Sequence, residues 1–512
     1  MKPRSNRVGL FAFQGKIMRY KLTKTAFAAL TISTSTLFAS THDGTNVADA
    51  TEWKFNAGAD FRMRQEMMDN IPGNPGDIYS IAPVKRGKNK NQMRFRPRAW
   101  FAVENGPFRL YSRITDEFRE YPVENGQRKK DRAYNFPDEL FLDNLYLEGN
   151  GLELDYLNDI GIEKFDFRFG RQDLFERGHS IFGLDRIIAD GTPLDGSRGF
   201  FADMMRVKLH FNELHSVDLF TLYCNGRNNI RWGNNRSEGR AMNPINMSDS
   251  NEMDEWGGGI VYSGVLNDKA LPFKAYSIFK RSEAYTTSSP IARNMSAKEI
   301  TTVGTLFEPK FSDQWSMELE GAKQFGRILD GNKQAGGFMG HVAINYRPKV
   351  LREHSPVVSW ATTYYSGDRH RTEKGNNDTA WDPMWARFTQ DSEMLVYGAL
   401  YGNCYWSNMI YSKLKLTMKF APHHGFYAYT GPMFVAEQDR LGHADGSGDS
   451  MYKGWLSAAR YDFPIRLAPK NATGVDRFEL FGHIVAEVFQ PGDYFDSSKP
   501  AYFIRWQIDF RF

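Results

Sequence analysis

The chain has 512 residues, 65 Lys and Arg against 61 Asp and Glu, and a formal net charge of +4. Its mean hydropathy is −0.54, and its longest mildly apolar run, Ala26–Ala39, is short and rich in Thr and Ser, which excludes helical membrane spans of about 20 residues. Aromatic residues make up 14% of the chain, which excludes a solvated disordered polymer, so a polar chain must still pack many rings.

Residues 1–50 read as a signal peptide. Seven Lys and Arg within the first 24 residues precede the apolar stretch Thr25–Ala39 and then Ala48-Asp49-Ala50. Basic, apolar and small-residue regions in that order describe a secretory leader. Starting at Met18 gives a more usual length, and cleavage near Ala39 is an alternative to cleavage after Ala50. A lone membrane anchor is the competing reading, and the apolar run is short for one. Removing 1–50 takes away seven bases and two acids, so +4 becomes −1. A single unit is expected over 51–512.

From Trp53 onward the chain alternates. Trp53, Phe55, Ala57, Ala59, Phe61 and Met63 share one face, and Lys54, Asn56, Gly58, Asp60, Arg62 and Arg64 share the other. Period two is the pattern of a strand with one apolar face. Met93–Val103, Phe165–Phe169, Met205–Phe211 and Lys413–Phe420 repeat it. About 18 such segments are expected near 52–66, 92–105, 107–117, 138–149, 162–171, 200–211, 214–225, 254–265, 270–283, 298–310, 313–327, 335–347, 356–366, 404–420, 424–437, 451–463, 474–489 and 500–512. Strands in soluble proteins are mostly 5–6 residues long, whereas a tilted strand that crosses a bilayer needs about 10.

Long and short connections alternate along most of the chain, with 150–161 intermediate. Segments 67–91, 118–137, 172–199, 226–253 and 367–403 are long. Asn105-Gly106, Asn212-Glu213, 266–269 and Ala421-Pro422-His423 are short. The last segment puts Tyr502, Ile504, Trp506, Ile508, Phe510 and the terminal Phe512 on one face, a signature of outer-membrane barrel assembly. The expected fold is all-β: a transmembrane antiparallel β-barrel of about 18 strands with short periplasmic turns and long extracellular loops, in a bacterial outer membrane.

The polar face should then line a lumen. Its bases include Lys54, Arg62, Arg64, Arg94, Arg96, Arg98, Arg109, Arg113, Arg168, Arg206 and Lys208. Its acids include Asp60, Glu66, Glu104, Glu117 and Asp166. Arginine stays charged and grips carboxylate or phosphate with two hydrogen bonds, and basic rings select anions. Cross-strand pairing with those acids is the competing reading. Trp100 and Tyr111 on the same face would offer sugar rings an apolar surface.

At this point the sequence resembles the alginate export porin family. The resemblance rests on Phe61–Glu66, Gly170–Leu174, Leu194–Arg198, Gly321–Arg327, Tyr365–Asp368 and Gln490–Asp493, in the family's order and across most of the chain. It implies an 18-stranded barrel with an arginine-rich constriction, which Arg171, Asp195, Arg198 and Arg327 would form or support. It also implies that the 172–199 loop, with Arg186, folds inward. Substrates within such a family vary.

Other features are weaker. His423-His424 suits a turn better than a metal, and Asp249, Glu252, Asp254 and Glu255 lack calcium-loop spacing. Gly257-Gly258-Gly259 has no phosphate-loop context. Cys224 and Cys404 could pair or stand apart, and two cysteines exclude a disulfide framework. The expected function is therefore a channel, not an enzyme, passing an anionic polysaccharide or oligosaccharide. The alternatives are a barrel hydrolase, for which His210, His215 and Ser216 lie close in sequence, and a barrel that only displays adhesive loops. No cofactor is called for. Expected partners are outer-membrane lipid and lipopolysaccharide, the anionic saccharide, the barrel assembly machinery and periplasmic secretion or uptake proteins, with no nucleic acid.

Overall fold

The computed structural model describes residues 52–512 except 72–87, 117, 125–139, 177–178, 189–200, 225–230, 233–254, 267–270, 285–295, 331–332, 370–376, 386–391, 393–406, 439–448, 470–476 and 496–497. Eighteen strands follow one another: β1 Lys54–Ile71, β2 Lys88–Asn105, β3 Phe108–Thr115, β4 Leu140–Leu152, β5 Lys164–Asp173, β6 Phe201–His210, β7 Ser216–Cys224, β8 Glu255–Leu266 and β9 Leu271–Ser282. The second half comprises β10 Lys298–Phe307, β11 Trp315–Ile328, β12 Phe338–Tyr346, β13 Val357–Tyr365, β14 Met409–Ala421, β15 His424–Phe434, β16 Tyr452–Arg466, β17 Glu479–Pro491 and β18 Ala501–Arg511. A short run, Phe118–Glu124, continues the line of β3 along β2.

Each strand pairs antiparallel with the next, and β18 returns to β1 in the register Asp60↔Arg511 to Asp69↔Tyr502. The sheet is therefore closed, as the alternating pattern predicts. Strand ends differ a little from the sequence reading. β1 runs on to Ile71 and β2 begins at Lys88, because the hairpin keeps pairing through Met68↔Lys90 beyond the apolar stretch. Among the described residues no helix is long and apolar enough to cross a membrane.

Parity sorts the side chains. The outward positions carry Phe101, Leu147, Phe169, Met205, Ile260, Val303, Leu319, Phe325, Trp360, Leu414, Ile484 and Ile504, all exposed; Phe169 is 63% and Phe325 58% accessible. A belt of this size on a protein surface needs an apolar solvent around it. Tyr262, Phe273 and Phe307 stack near the short-turn end, and Trp256 packs on Phe279 toward the other. That arrangement matches the ring girdles of a bilayer-spanning barrel.

The inward positions are polar over the short-turn half and apolar farther up. There, Leu174, Phe182, Leu184, Ile187, Ile188, Trp381, Met384 and Trp385 are buried against Met204, Phe220, Ile278 and Tyr365 of the wall. Two segments that connect strands, 174–188 and 377–385, thus fold into the barrel and build a core inside it. Trp385 N–H donates to the Ile187 carbonyl at 3.3 Å, which joins the two. Gly257 makes room for this packing: a Cβ there would lie 2.7 Å from the Trp385 ring and 2.0 Å from the Phe279 carbonyl oxygen. The glycine triplet therefore serves close packing.

Candidate channel and constriction

The inner wall is built strand by strand from charges. Register sets Arg62 opposite Arg96 and Arg64 opposite Arg94 across β1 and β2, and Asp60 opposite Arg98. Across β1 and β18 it sets Arg62 opposite Asp509 and Glu66 opposite Arg505. Like charges facing each other across a strand pair are destabilising, so the carboxylates between them matter. Glu66, fully buried, takes Arg64 at 2.9 Å, Arg94 at 3.2 Å and Arg505 at 3.8 Å. Asp60 takes Arg98 at 2.9 Å and Arg96 at 3.7 Å. Each of these two acids thus holds more than one arginine, and Asp509 and Asp462 lie in the same sector.

The next strands balance differently. Arg113 bridges Asp143 at 2.8 Å and Asp173 at 2.9 Å. Arg109 pairs with Glu104 and Glu148, and Arg168 with Glu148 and Glu176. Arg206 meets Asp218 at 2.6 Å. Lys208 sits on the same inner face, opposite Asp166 on one side and Asp218 on the other. The excess of positive charge is consequently concentrated where β16–β18 meet β1 and β2, and pairing dominates along β3–β7. Cross-strand pairing is thus the rule along β3–β7, and like charges face one another where β1 meets β2.

Aromatic rings alternate with these arginines. Trp100 stacks toward Tyr111 with centroids 6.1 Å apart, and Tyr111 toward Tyr146 at 5.2 Å. Arg109 lies 4.8 Å over Tyr111 and Arg168 4.6 Å over Tyr146. On the far wall Lys415 lies 5.2 Å over Tyr427.

Above this zone the infolded segments narrow the barrel. Arg186 reaches from 174–188 to Glu320 at 2.6 Å and Glu318 at 3.3 Å on β11. The second segment is fastened by Lys298 to Asp378 at 2.7 Å and by Lys280 to Asp382. Burial opposes ionisation of Asp382, but Lys280 and Lys298 outweigh it and hold the carboxyl below its usual range. His179, in the hairpin of the first segment, is pushed up by its hydrogen bond to Asp185.

The expected channel residues fall into three groups. Arg62, Arg64, Arg94, Arg96, Arg98, Arg109, Arg113, Arg168, Arg206 and Lys208 are on the inner wall. Arg171 and Arg327 are not, contrary to the expectation from the family resemblance. Arg171 shares parity with Phe169 and pairs outward with Asp203 at 2.8 Å. Arg327, 59% exposed, shares parity with Phe325 and pairs with Glu299 at 2.8 Å, which also takes Arg281. Asp195 and Arg198 lie outside the described residues, as do Cys404, Asp249, Glu252 and Asp254. Glu255, one of the acids weighed for calcium, opens β8 in line with the expected 254–265 segment and is buried beside Ser282 and Lys280.

Sequence reasoning missed the infolded 377–385 segment, although Trp381, Met384 and Trp385 inside a polar connection were a signal for it. It also missed Arg460 as part of the basic sector. The histidines weighed for hydrolysis are held elsewhere. His210 bonds Asp166 at 2.7 Å and His215 bonds the Tyr262 hydroxyl at 2.7 Å, and neither is bonded to Ser216. His423 sits in the tight turn and His424 bonds Tyr461.

No protein-family model and no curated protein matches the sequence. Among solved structures, OccAB1 of Acinetobacter baumannii aligns over 90% of this chain and 96% of its own, with a TM-score of 0.51 and 10% identity. OccK5 (OpdH) of Pseudomonas aeruginosa aligns over 89% and 98% at a TM-score of 0.48 and 9% identity. OccK2 (OpdF) of the same species, in complex with glucuronate, aligns over 89% and 97% at 0.47 and 9%. The fold is that of an outer-membrane porin barrel. The comparison supports an outer-membrane porin barrel and does not support the alginate export family in particular. The closed sheet and its apolar outer belt place the chain in a bacterial outer membrane as an integral barrel.

Proposed function

We propose that the barrel is a diffusion channel for an anionic saccharide of the alginate kind, oligomeric or polymeric, drawn through by the basic sector of the inner wall. The observation that supports this is the facing of Arg62 with Arg96 and Arg64 with Arg94. Stability alone disfavours such pairs, whereas a lumen that must attract carboxylates requires them. Arginine suits the task because it offers a planar fork and does not titrate at neutral pH. The direction of transport follows the solute gradient.

The test is the reversal potential of the reconstituted channel under a KCl gradient. A unit charge about 6 Å from a permeant ion in water-like surroundings is worth about 0.7 kcal/mol, or roughly threefold in local ion concentration. The wild type should prefer anions, and Arg94→Gln, Arg96→Gln and Arg98→Gln combined should move the potential clearly toward cations. A cation-selective wild type, or no shift in the variant, would refute the proposal.

A further inference from the structure

The wall below the constriction holds a cavity of about 610 Å³, within the ~300–1,000 Å³ range of small-molecule sites. Five arginines and three aspartates line it among the described residues, with Arg62, Arg96, Arg98, Arg460 and Arg511 as the cations. The Trp100 ring also lines it. Trp100 pairs in register with Gly58 of β1, and a Cβ on Gly58 would lie 2.6 Å from Trp100 Cζ2. The indole therefore lies across a residue without a side chain, which lets it rest flat on the inner sheet with a face toward the cavity. Among the described residues nothing accepts a hydrogen bond from its indole N–H, so ring face and donor are both at the disposal of a solute. Tyr111 extends the ring surface sideways.

A basic cavity without rings would hold any compact anion. Charge plus a flat aromatic surface selects anions that carry a ring with an apolar face, because stacking adds to ion pairing only for those. We propose that Trp100, seated on Gly58, is the stacking platform of a binding subsite on the periplasmic side of the constriction. Its ligand class is a uronic acid saccharide of one or two rings, with the carboxylate toward Arg96, Arg98 or Arg511. This rests on the anionic-saccharide reading above and assigns it a place in the lumen.

The experiment is single-channel block of the reconstituted full chain by digalacturonate, with tartrate as an acyclic dianion and cellobiose as a neutral disaccharide. Digalacturonate should block wild type at lower concentration than either. Trp100→Leu should raise its half-blocking concentration roughly three- to tenfold, and Gly58→Ala, which lifts the ring, should act in the same direction. Trp100→Phe should recover most of the block. Tartrate block and the anion preference in KCl should stay as in wild type, which also shows that each variant forms a closed barrel. Equal weakening of tartrate and digalacturonate, no effect of Trp100→Leu, or no block of wild type by digalacturonate would overturn the subsite. A wild type that lacks anion preference would sink the wider reading instead, so the two failures are separate.

Discussion

Arg186 is the point at which the infolded 174–188 segment is most exposed to a single change. Its guanidinium spans Glu318 and Glu320, and Glu320 is 1% exposed, with the Tyr276 hydroxyl at 2.9 Å as its one other donor among the described residues. Arg186→Ala leaves that carboxylate in the wall without its cation. Removing one partner of a buried pair costs about 3–5 kcal/mol; Arg186 keeps some solvent contact, so we take the lower figure. About 3 kcal/mol shifts the docking equilibrium of the segment roughly 150-fold toward release. In planar bilayers the variant should show long openings to a conductance level above that of wild type. Adding Glu320→Gln should return the distribution part of the way toward wild type, since the buried charge is then gone while the partly exposed Glu318 still lacks its cation. Unchanged conductance in Arg186→Ala, in protein whose gel mobility is still heat-modifiable, would refute the view that this pair holds the segment in place.

Three further outcomes are expected. Arg327→Gln, on the outer face beside Glu299, should leave the KCl reversal potential where wild type has it, whereas the inner-wall variants move it; a shift would mean the parity assignment is wrong. Gly170 has φ +126°, and a Cβ there would sit 2.2 Å from the Leu145 carbonyl oxygen, so Gly170→Ala should cost about 1–3 kcal/mol and lower the thermal midpoint read by heat-modifiability. His179, whose pKa is raised by Asp185, strengthens its hairpin below the unfolded value of 6.5 and loses that contribution as pH rises through the folded value. The protection factor of the Ser180 amide, which donates to Asp185 at 2.7 Å, should therefore fall on the alkaline side, and His179→Gln should abolish the dependence. The Asp382 fastening has the opposite sign. Its lowered pKa keeps it intact above the usual carboxylate range, and it weakens only as pH falls through the folded value.

The strands were legible because alternation is forced on them: each residue meets either lipid or the interior, and eighteen repetitions leave little ambiguity. The same rule would have placed Arg171 and Arg327 correctly. Arg168 faces inward, so Arg171, three residues on, faces out, and Phe325 carries Arg327 with it. Motif resemblance overrode parity at those two positions. Pairing partners were less legible, because Arg113 meets Asp173 from a strand that is not its neighbour in the sheet. Bringing those strands' side chains together is a matter of tertiary geometry that no local spacing encodes. The inward folding of the 172–199 loop was implied only by the family resemblance, and the docking of its described part on Phe220 and Ile278 depends on wall residues far away in sequence.

The seam between β1 and β18 sets the order in which the molecule can be made. Trp506 donates to Gln65 across 441 residues at 2.9 Å, while each of the other strand pairs of the barrel joins strands that follow one another in the chain. Closing a flexible loop of that length directly would cost about 5 kcal/mol in chain entropy. Adding hairpins one by one avoids most of that cost, because the growing sheet brings its two edges toward each other before they touch. Until the last eleven-residue strand arrives, β1 presents an unpaired edge, the kind of surface that templates aggregation. The terminal segment thus completes the sheet and covers the edge that β1 would otherwise present.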